Sequence, residues 1–446
     1  MVFLFLVLPG AAVAQSDSDL AAKADALIAP IAKADRFSGA VLVARGGKPV
    51  FRKAYGLANR EWNVPNDPET KFRIGSITKQ FTAMAILQLQ EAGKLSVDDP
   101  VSKYYTDAPA AWSAITLKHL LTHTSGIPSY TSIPHFFDAE ARRDRTPEEI
   151  IKLTADKPLE FEPGSKFAYD NSGYILLGYI IEKVSGETYA DYIQHHIFDP
   201  LGMKSSGYDV STVVLPKRAA GYSRSKNGLI NTPYLSMTEP FAAGSLYSTV
   251  DDMLIWDQAL TAGKLLSPAS YQAMFTDYGH HYGFGWFIDD QFGHQHIWHE
   301  GGINGFVTEF SRYPQDKLTV LVFSNQDGRP VGGIDNGLAA LYLKVPPRTA
   351  AAGGEALLRR AIETLRAGAP DYDTMGPQLA AATRAQLPML QKTITGLGAI
   401  KTITLLSAEP GGGDRYDVAL QNGNTEWTIV VSKDGKLAGA NFNPAP

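Results

Sequence analysis

Residues Phe72–Gly93 read FRIGSITKQFTAMAILQLQEAG, and the fold is decided here. Gly75 opens the stretch, Ser76 stands at the start of a predicted helix, and Lys79 follows three residues later. Positions i and i+3 share a helix face, so the Ser76 hydroxyl and the Lys79 amine can meet. Phe81, Ala83, Met84, Ala85, Ile86, Leu87 and Leu89 make the helix apolar on nearly every side. That pattern predicts burial, and Gly93 is the stop signal. Burial penalises a lysine's charge, and a neutral amine can take a proton from serine. The pair therefore points to an activated serine nucleophile. Ser-x-x-Lys recurs at Ser223 and Lys226, in YSRSKNGLIN. That copy is polar, holds Gly and Asn, has no apolar helix behind it, and reads as a loop.

The chain of 446 residues is too long for one ordinary domain. Its 44% hydrophobic and 20% charged content is that of a soluble globular protein. A net charge of -5 without any Lys/Arg run gives no support for nucleic-acid binding. The absence of cysteine excludes thiol catalysis, disulfides and thiolate metal sites. MVFLFLVLPGAAVAQSDSD runs from apolar residues to Ala12-Val13-Ala14 and then to polar ones, as an export signal over residues 1–14 would. It lacks the basic residues that usually precede the apolar run, which suggests a truncated start. No later segment approaches the ~20 apolar residues of a membrane span. A periplasmic or secreted protein without stable membrane insertion is expected, with homo-oligomerisation left open.

Around the central helix, SGAVLVARGGKPVFRKAYGLANR gives two β-rich runs joined at Gly46-Gly47, a hairpin signal. Asp19–Asp35 carries Leu20, Leu27, Ile28 and Ile31 as one helical stripe, with Pro30 as a kink. Residues 100–215 alternate helical pieces with loops and include a helix over Tyr174–Ser185. Asp251–Gly263 reads as a helix, and Gly283–Asp289, Phe306–Tyr313 and Leu318–Ser324 read as strands. Strands near both ends thus bracket a helical middle. The predicted architecture is an α/β sandwich, one antiparallel sheet flanked by helices with an α-rich insertion beside it. VPPRTAAAGG suggests a linker over residues 346–354. It separates a main domain, 18–345, from a small α+β domain, 355–446, with a helix at Glu355–Ala367 and a meander over Ala399–Phe442.

Two further motifs carry chemistry. Tyr169-Asp170-Asn171 lies on a loop before a helix. A tyrosine near a lysine loses its proton more easily and can serve as a base, and an asparagine can hydrogen-bond the lysine or a substrate amide. His299-Glu300-Gly301-Gly302 is read as preceding a strand, where a backbone N–H can help bind an oxyanion. His281-Tyr282-Gly283 lacks the second glycine and reads as the start of a strand.

In order and spacing, SITK, YDN and HEG resemble the three motifs of the serine β-lactamase and penicillin-binding-protein superfamily, closest to its class C-like branch. LLTHTSGIPSY at Leu120–Tyr130 is similar to a hallmark of that family. The resemblance covers roughly residues 20–345. It implies a serine hydrolase with Ser76 as acylating nucleophile and with Lys79 and Tyr169 sharing the proton work. It further implies that Asn171 contacts Lys79 and substrate, and that the N–H groups of Ser76 and Gly302 bind the oxyanion. Gly301 would belong to the same substrate-binding strand, and His299 would stand where a lysine often stands. No cofactor or metal is implied; the partner is a small-molecule or peptide substrate.

The third motif departs from the Lys-Thr-Gly of antibiotic-destroying members. Without that lysine and threonine a β-lactam carboxylate has a poor partner, so peptides, D-amino-acid or peptidoglycan-type amides, or short esters are favoured. The alternatives are a β-lactamase and a non-catalytic penicillin-binding-like protein. A metallohydrolase would use the crowded His280, His281, His294, His296 and His299, but no H-E-x-x-H is present. An α/β-hydrolase would need a Gly-x-Ser-x-Gly elbow, which is absent.

Overall fold

Hairpins from opposite ends of the chain meet in one sheet. The computed structural model describes residues 17–225, 228–328, 330–410 and 412–444. The expected export signal lies outside them, as does Lys226. Helix α1 (Asp17–Lys33) leads into β1 (Gly39–Arg45) and β2 (Lys48–Tyr55), joined through Gly46 and Gly47, both in the left-handed region. Helix α2 (Thr78–Glu91) is the apolar helix read from the sequence, and α3 (Asn171–Ser185) and α4 (Val250–Thr261) follow. Next come β3 (Phe287–Gln291), β4 (His294–Ile303), β5 (Phe306–Tyr313), β6 (Leu318–Ser324) and helix α5 (Pro330–Leu343). The sheet order is β3-β4-β5-β6-β1-β2, antiparallel at every pair. The junction pairs Gly39 with Ser324 and Leu42 with Leu321.

Strands β1 and β6 are buried on both faces, and their alternation divides the core. Ala40, Leu42, Ala44, Leu321 and Phe323 face the helical middle, packing with α2 and α3. Val41, Val43, Leu318, Val320 and Val322 face the other way, against Leu20, Ala24 and Ile28 of α1 and Ile334 and Leu338 of α5. A period of two on a strand covered on both sides yields two cores and a continuous apolar run.

Three local expectations change. The His299 motif lies within β4, since the pairing of β4 with β5 runs from Ile297↔Arg312 to Ile303↔Phe306. The strand expected over Gly283–Asp289 begins only at Phe287, because Gly285 takes φ +78° in a bend against the Lys79 backbone. Ser223, read as part of a loop, stands on a two-stranded ribbon in which Tyr222–Ser225 pairs with Gly228–Asn231, and its hydroxyl donates to Thr232.

Residues 354–444 form helices α6 (Gly354–Arg366) and α7 (Pro377–Leu397) and a meander, β7 (Ile400–Ala408), β8 (Asp414–Leu420), β9 (Gly423–Val431) and β10 (Leu437–Pro444). They carry a core of their own, with Leu358, Ile362, Ile394, Val418, Trp427, Ile429 and Leu437. An Arg36–Glu426 ion pair at 2.5 Å touches the larger part. Among the described residues no helix is long and apolar enough to cross a membrane.

Candidate active site

Ser76 sits on a 3-10 turn, Gly75–Ile77, that leads directly into α2. Gly75 adopts φ +52°, and a Cβ there would lie 3.0 Å from the Gly302 nitrogen. Only glycine allows the turn to press against β4 in this way. Gly301 answers from the strand: its Cβ would come within 1.9 Å of the Ile74 carbonyl oxygen. The two glycines of the third motif thus differ in duty. Gly301 is buried at the junction and does not face substrate, whereas Gly302 has open space over its Cα and lines the cleft.

Lys79, three residues along, is fully buried. Its Nζ lies 3.0 Å from Ser76 Oγ, 2.9 Å from Asn171 Oδ1 and 2.9 Å from the Ala243 carbonyl oxygen. Three acceptors match the three protons of an ammonium. Burial nonetheless brings its pKa from 10.5 down to about 7, the Asp170 carboxylate opposing. In the neutral amine one nitrogen lone pair is free, and the Ser76 hydroxyl is the only one of the three neighbours able to donate to it.

Asn171 is held in turn: its Nδ2 donates to Thr131 Oγ1 at 3.1 Å and its backbone N–H to Ser129 Oγ at 3.1 Å. Asp170 caps α3, accepting from the Ser172 and Gly173 N–H groups at 2.7 and 3.0 Å. Burial raises its pKa to about 7 despite those donors. Ala243 belongs to the short helix Phe241–Gly244, which reaches α2 because α3 carries Gly178 beneath it; a Cβ at Gly178 would lie 2.4 Å from the Ala242 Cβ.

Tyr169 departs from its expected behaviour. Burial raises its pKa above the ordinary value, and the lowering effect of Ser76 does not offset that. Its buried hydroxyl makes no hydrogen bond of standard geometry. At neutral pH the phenol therefore keeps its proton.

His299 is the larger correction. It is fully buried, and it does not line the cleft at Ser76. Its Nδ1–H donates to the Glu300 carbonyl at 2.6 Å, leaving Nε2 to accept from the Tyr282 hydroxyl at 2.9 Å. Tyr282 Oη then accepts from His123 Nε2–H at 3.3 Å, and His123 Nδ1 accepts from the Asp170 N–H at 3.0 Å. Each proton is assigned by its partner, and both imidazoles are neutral. Burial, helped by Lys79, lowers His299 to about 3 and His123 well below its usual value. The His123, Tyr282 and His299 rings pack around Tyr169, His123 at 4.2 Å between centroids. The third motif thus supports Tyr169 from behind.

The other histidines do not converge. His294 pairs with Asp316, His296 with Asp289 and His281 with Asp277. Among the described residues no three potential ligands could share a metal ion.

The cleft over Ser76 encloses about 460 Å³. Ser76, Asn171, Ala243 and Gly302 form its reactive end, and Tyr130, Phe136, Phe137 and Phe306 supply aromatic walls. Two carboxylate residues, Glu239 and Asp327, line it, and among the described residues no lysine, arginine or histidine does.

Sequence reasoning missed His123, Asp170, Tyr282 and Ala243. His123 lay within the LLTHTSGIPSY hallmark and Asp170 within the second motif; Tyr282 stood in the His-x-Gly copy read as a strand start. Ala243 contributes a carbonyl, which no side-chain pattern marks.

The family described as Beta-lactamase matches residues 24–344. PbpX of Bacillus subtilis strain 168 is 38% identical over 305 residues, covering 67% of this chain and 74% of PbpX. The teichoic acid D-alanine hydrolase of Staphylococcus aureus strain MRSA252 is 28% identical over 301 residues, covering 66% of this chain and 71% of that one. The octameric penicillin-binding protein homologue from Pyrococcus abyssi superposes with a TM-score of 0.65 at 27% identity, covering 95% of this chain and 90% of its own. With the family matched over most of its length, the chain belongs to the β-lactamase family and is a serine hydrolase of that superfamily.

Proposed function

We infer that the protein is an exported hydrolase that cleaves peptides, amides of the D-amino-acid or peptidoglycan type, or short esters, through an acyl-enzyme on Ser76. The observation that supports the reading is the cleft: among the described residues its lining holds carboxylates and no cation that could hold a β-lactam carboxylate. The similarity to a teichoic acid D-alanine hydrolase points the same way.

Neutral Lys79 takes the Ser76 proton as Oγ bonds to the substrate carbonyl carbon. The carbonyl oxygen becomes an oxyanion, met by the N–H groups of Ser76 and Gly302. The carbon–nitrogen or carbon–oxygen bond then breaks. Tyr169 gives its proton to the leaving atom and recovers one from the Lys79 ammonium. Water repeats the sequence on the acyl-enzyme, with Lys79 again as base, and Ser76 is released. Asn171 holds Lys79 and offers its amide to the substrate.

The test is a panel of aryl esters, D- and L-amino-acid amides, muropeptides and a chromogenic cephalosporin, with mass spectrometry of the trapped adduct. Ester or amide turnover should dominate, and the adduct should map to Ser76. A cephalosporin turned over with far higher kcat/KM than the rest makes the protein a β-lactamase. No adduct and no turnover make it a binding protein.

A further inference from the structure

The cleft wall holds a buried carboxylate that the reaction does not use. Glu239, beside Pro240 and the Ala243 carbonyl that meets Lys79, lines the same cleft as Ser76. Its side chain is 1% exposed. Oε1 accepts from Arg145, but Oε2 has no hydrogen-bond partner among the described residues. An unpaired carboxylate oxygen shut away from water is costly.

The surroundings leave that charge incompletely answered. The Arg145 guanidinium is shared between Glu239 and Glu140. Asp144 adds a third carboxylate whose charge Glu239 senses. Arg143 meets Glu140 from solvent, two-thirds exposed. Three acids thus face one buried cation. Around the reactive end the cleft adds Asp327 and, among the described residues, no positive side chain. The remaining walls near Glu239, Tyr130, Phe136 and Leu235, are apolar or aromatic. A group that suits them is small, carries a positive charge and has N–H donors.

We propose that Glu239 is the amine-recognition residue of this cleft, with Oε2 accepting a hydrogen bond from the ammonium of an aminoacyl substrate. This rests on the hydrolase reading above and narrows it to acyl groups with a free amine. A charge-assisted bond in a dry wall is among the stronger polar contacts a site can make. An uncharged acyl group would leave Oε2 unpaired, and such sites discriminate strongly against ligands lacking the donor.

The p-nitroanilides of D-alanine, L-alanine and propionic acid differ only in the ammonium and its hand. In the wild-type protein near pH 7, the better alanyl substrate should exceed the propionyl one about tenfold or more in kcat/KM. Glu239→Gln, which keeps an oxygen for Arg145, should bring that ratio to within about threefold of unity. The wild-type ratio needs no variant to fold. Equal turnover of alanyl and propionyl substrates would overturn the inference and leave the Ser76 hydrolase standing. A ratio lost in Asp327→Asn and kept in Glu239→Gln would overturn the assignment to Glu239. If no anilide and no aryl ester is hydrolysed, the underlying reading falls with it.

Discussion

The neutral form of Lys79 should set the acid limb of the pH profile. At pH 7 a solvated lysine with pKa 10.5 is neutral in about one molecule in 3000, whereas one at about 7 is neutral in about half. Burial on α2 thus multiplies the available base about a thousandfold. For an uncharged aryl ester, kcat/KM should rise with pH through a midpoint near 7 and level off above about 8. It should fall about tenfold per unit below about 6. His123 and His299, both held neutral, add no limb of their own in this range, whereas Asp170, itself raised to about 7, titrates together with Lys79 and shares the midpoint. The perturbation is Asp170→Asn. The Asp170 charge, present above its own pKa of about 7, raises the Lys79 pKa against the effect of burial, so removing it should move the midpoint to lower pH and increase activity near pH 7 relative to the plateau. Asparagine still caps the helix, so α3 should keep its start. Hydrolysis of p-nitrophenyl butyrate, followed at the isosbestic wavelength of p-nitrophenol between pH 5 and 9, reads both profiles. A flat wild-type profile, or a midpoint that rises in the variant, refutes the reasoning.

Three further outcomes follow from the packing. Gly301→Ala would place its Cβ 1.9 Å from the Ile74 carbonyl and should lower the melting temperature sharply, while Gly302→Ala, with open space at that position, should melt like wild type and raise KM for bulky acyl groups. Parallel thermal melts and kinetics separate the two, and equal melting temperatures would contradict the assigned duties. His299→Phe should cost about 1–3 kcal/mol of stability by stranding the Tyr282 hydroxyl; a denaturation curve matching wild type would show that the hydrogen-bond chain is not structural. We also propose that residues 355–446 are a separate domain joined by 346–354. Limited proteolysis should cut within 346–354 and leave a folded fragment ending near residue 345; resistance there, or a truncated chain that cannot fold, counts against it.

Much of the fold was legible because it rests on periodicity. Phe81–Leu89 could be read as a buried helix, and LTVLVFS as a continuous apolar strand, from the spacing of apolar residues alone. Helix α7 was not read, since Pro388 interrupts it and only Ala380, Thr383 and Ile394 are buried along 21 residues, too few for a clear stripe. The bend at Gly285 hid for another reason. FGW continues the apolar run into β3, and only the approach of the Lys79 backbone shows why glycine stands there.

The site divides along the same line. Ser76 and Lys79 sit one helical turn apart, so a local rule could place them together. Whether Lys79 is a base, however, depends on the burial of α2 between sheet and α3 and on an acceptor, the Ala243 carbonyl, from 164 residues further along the chain. The same long-range dependence reversed the reading of Tyr169. Proximity to a lysine argues for an acidic phenol, but a ring packed among His123, Tyr282 and His299 feels desolvation more strongly. Once Lys79 is neutral near pH 7, it also has little charge left with which to acidify a neighbour. The burial that lowers the Lys79 pKa therefore raises that of Tyr169, and the base and acid roles proposed for them rest on one dry environment.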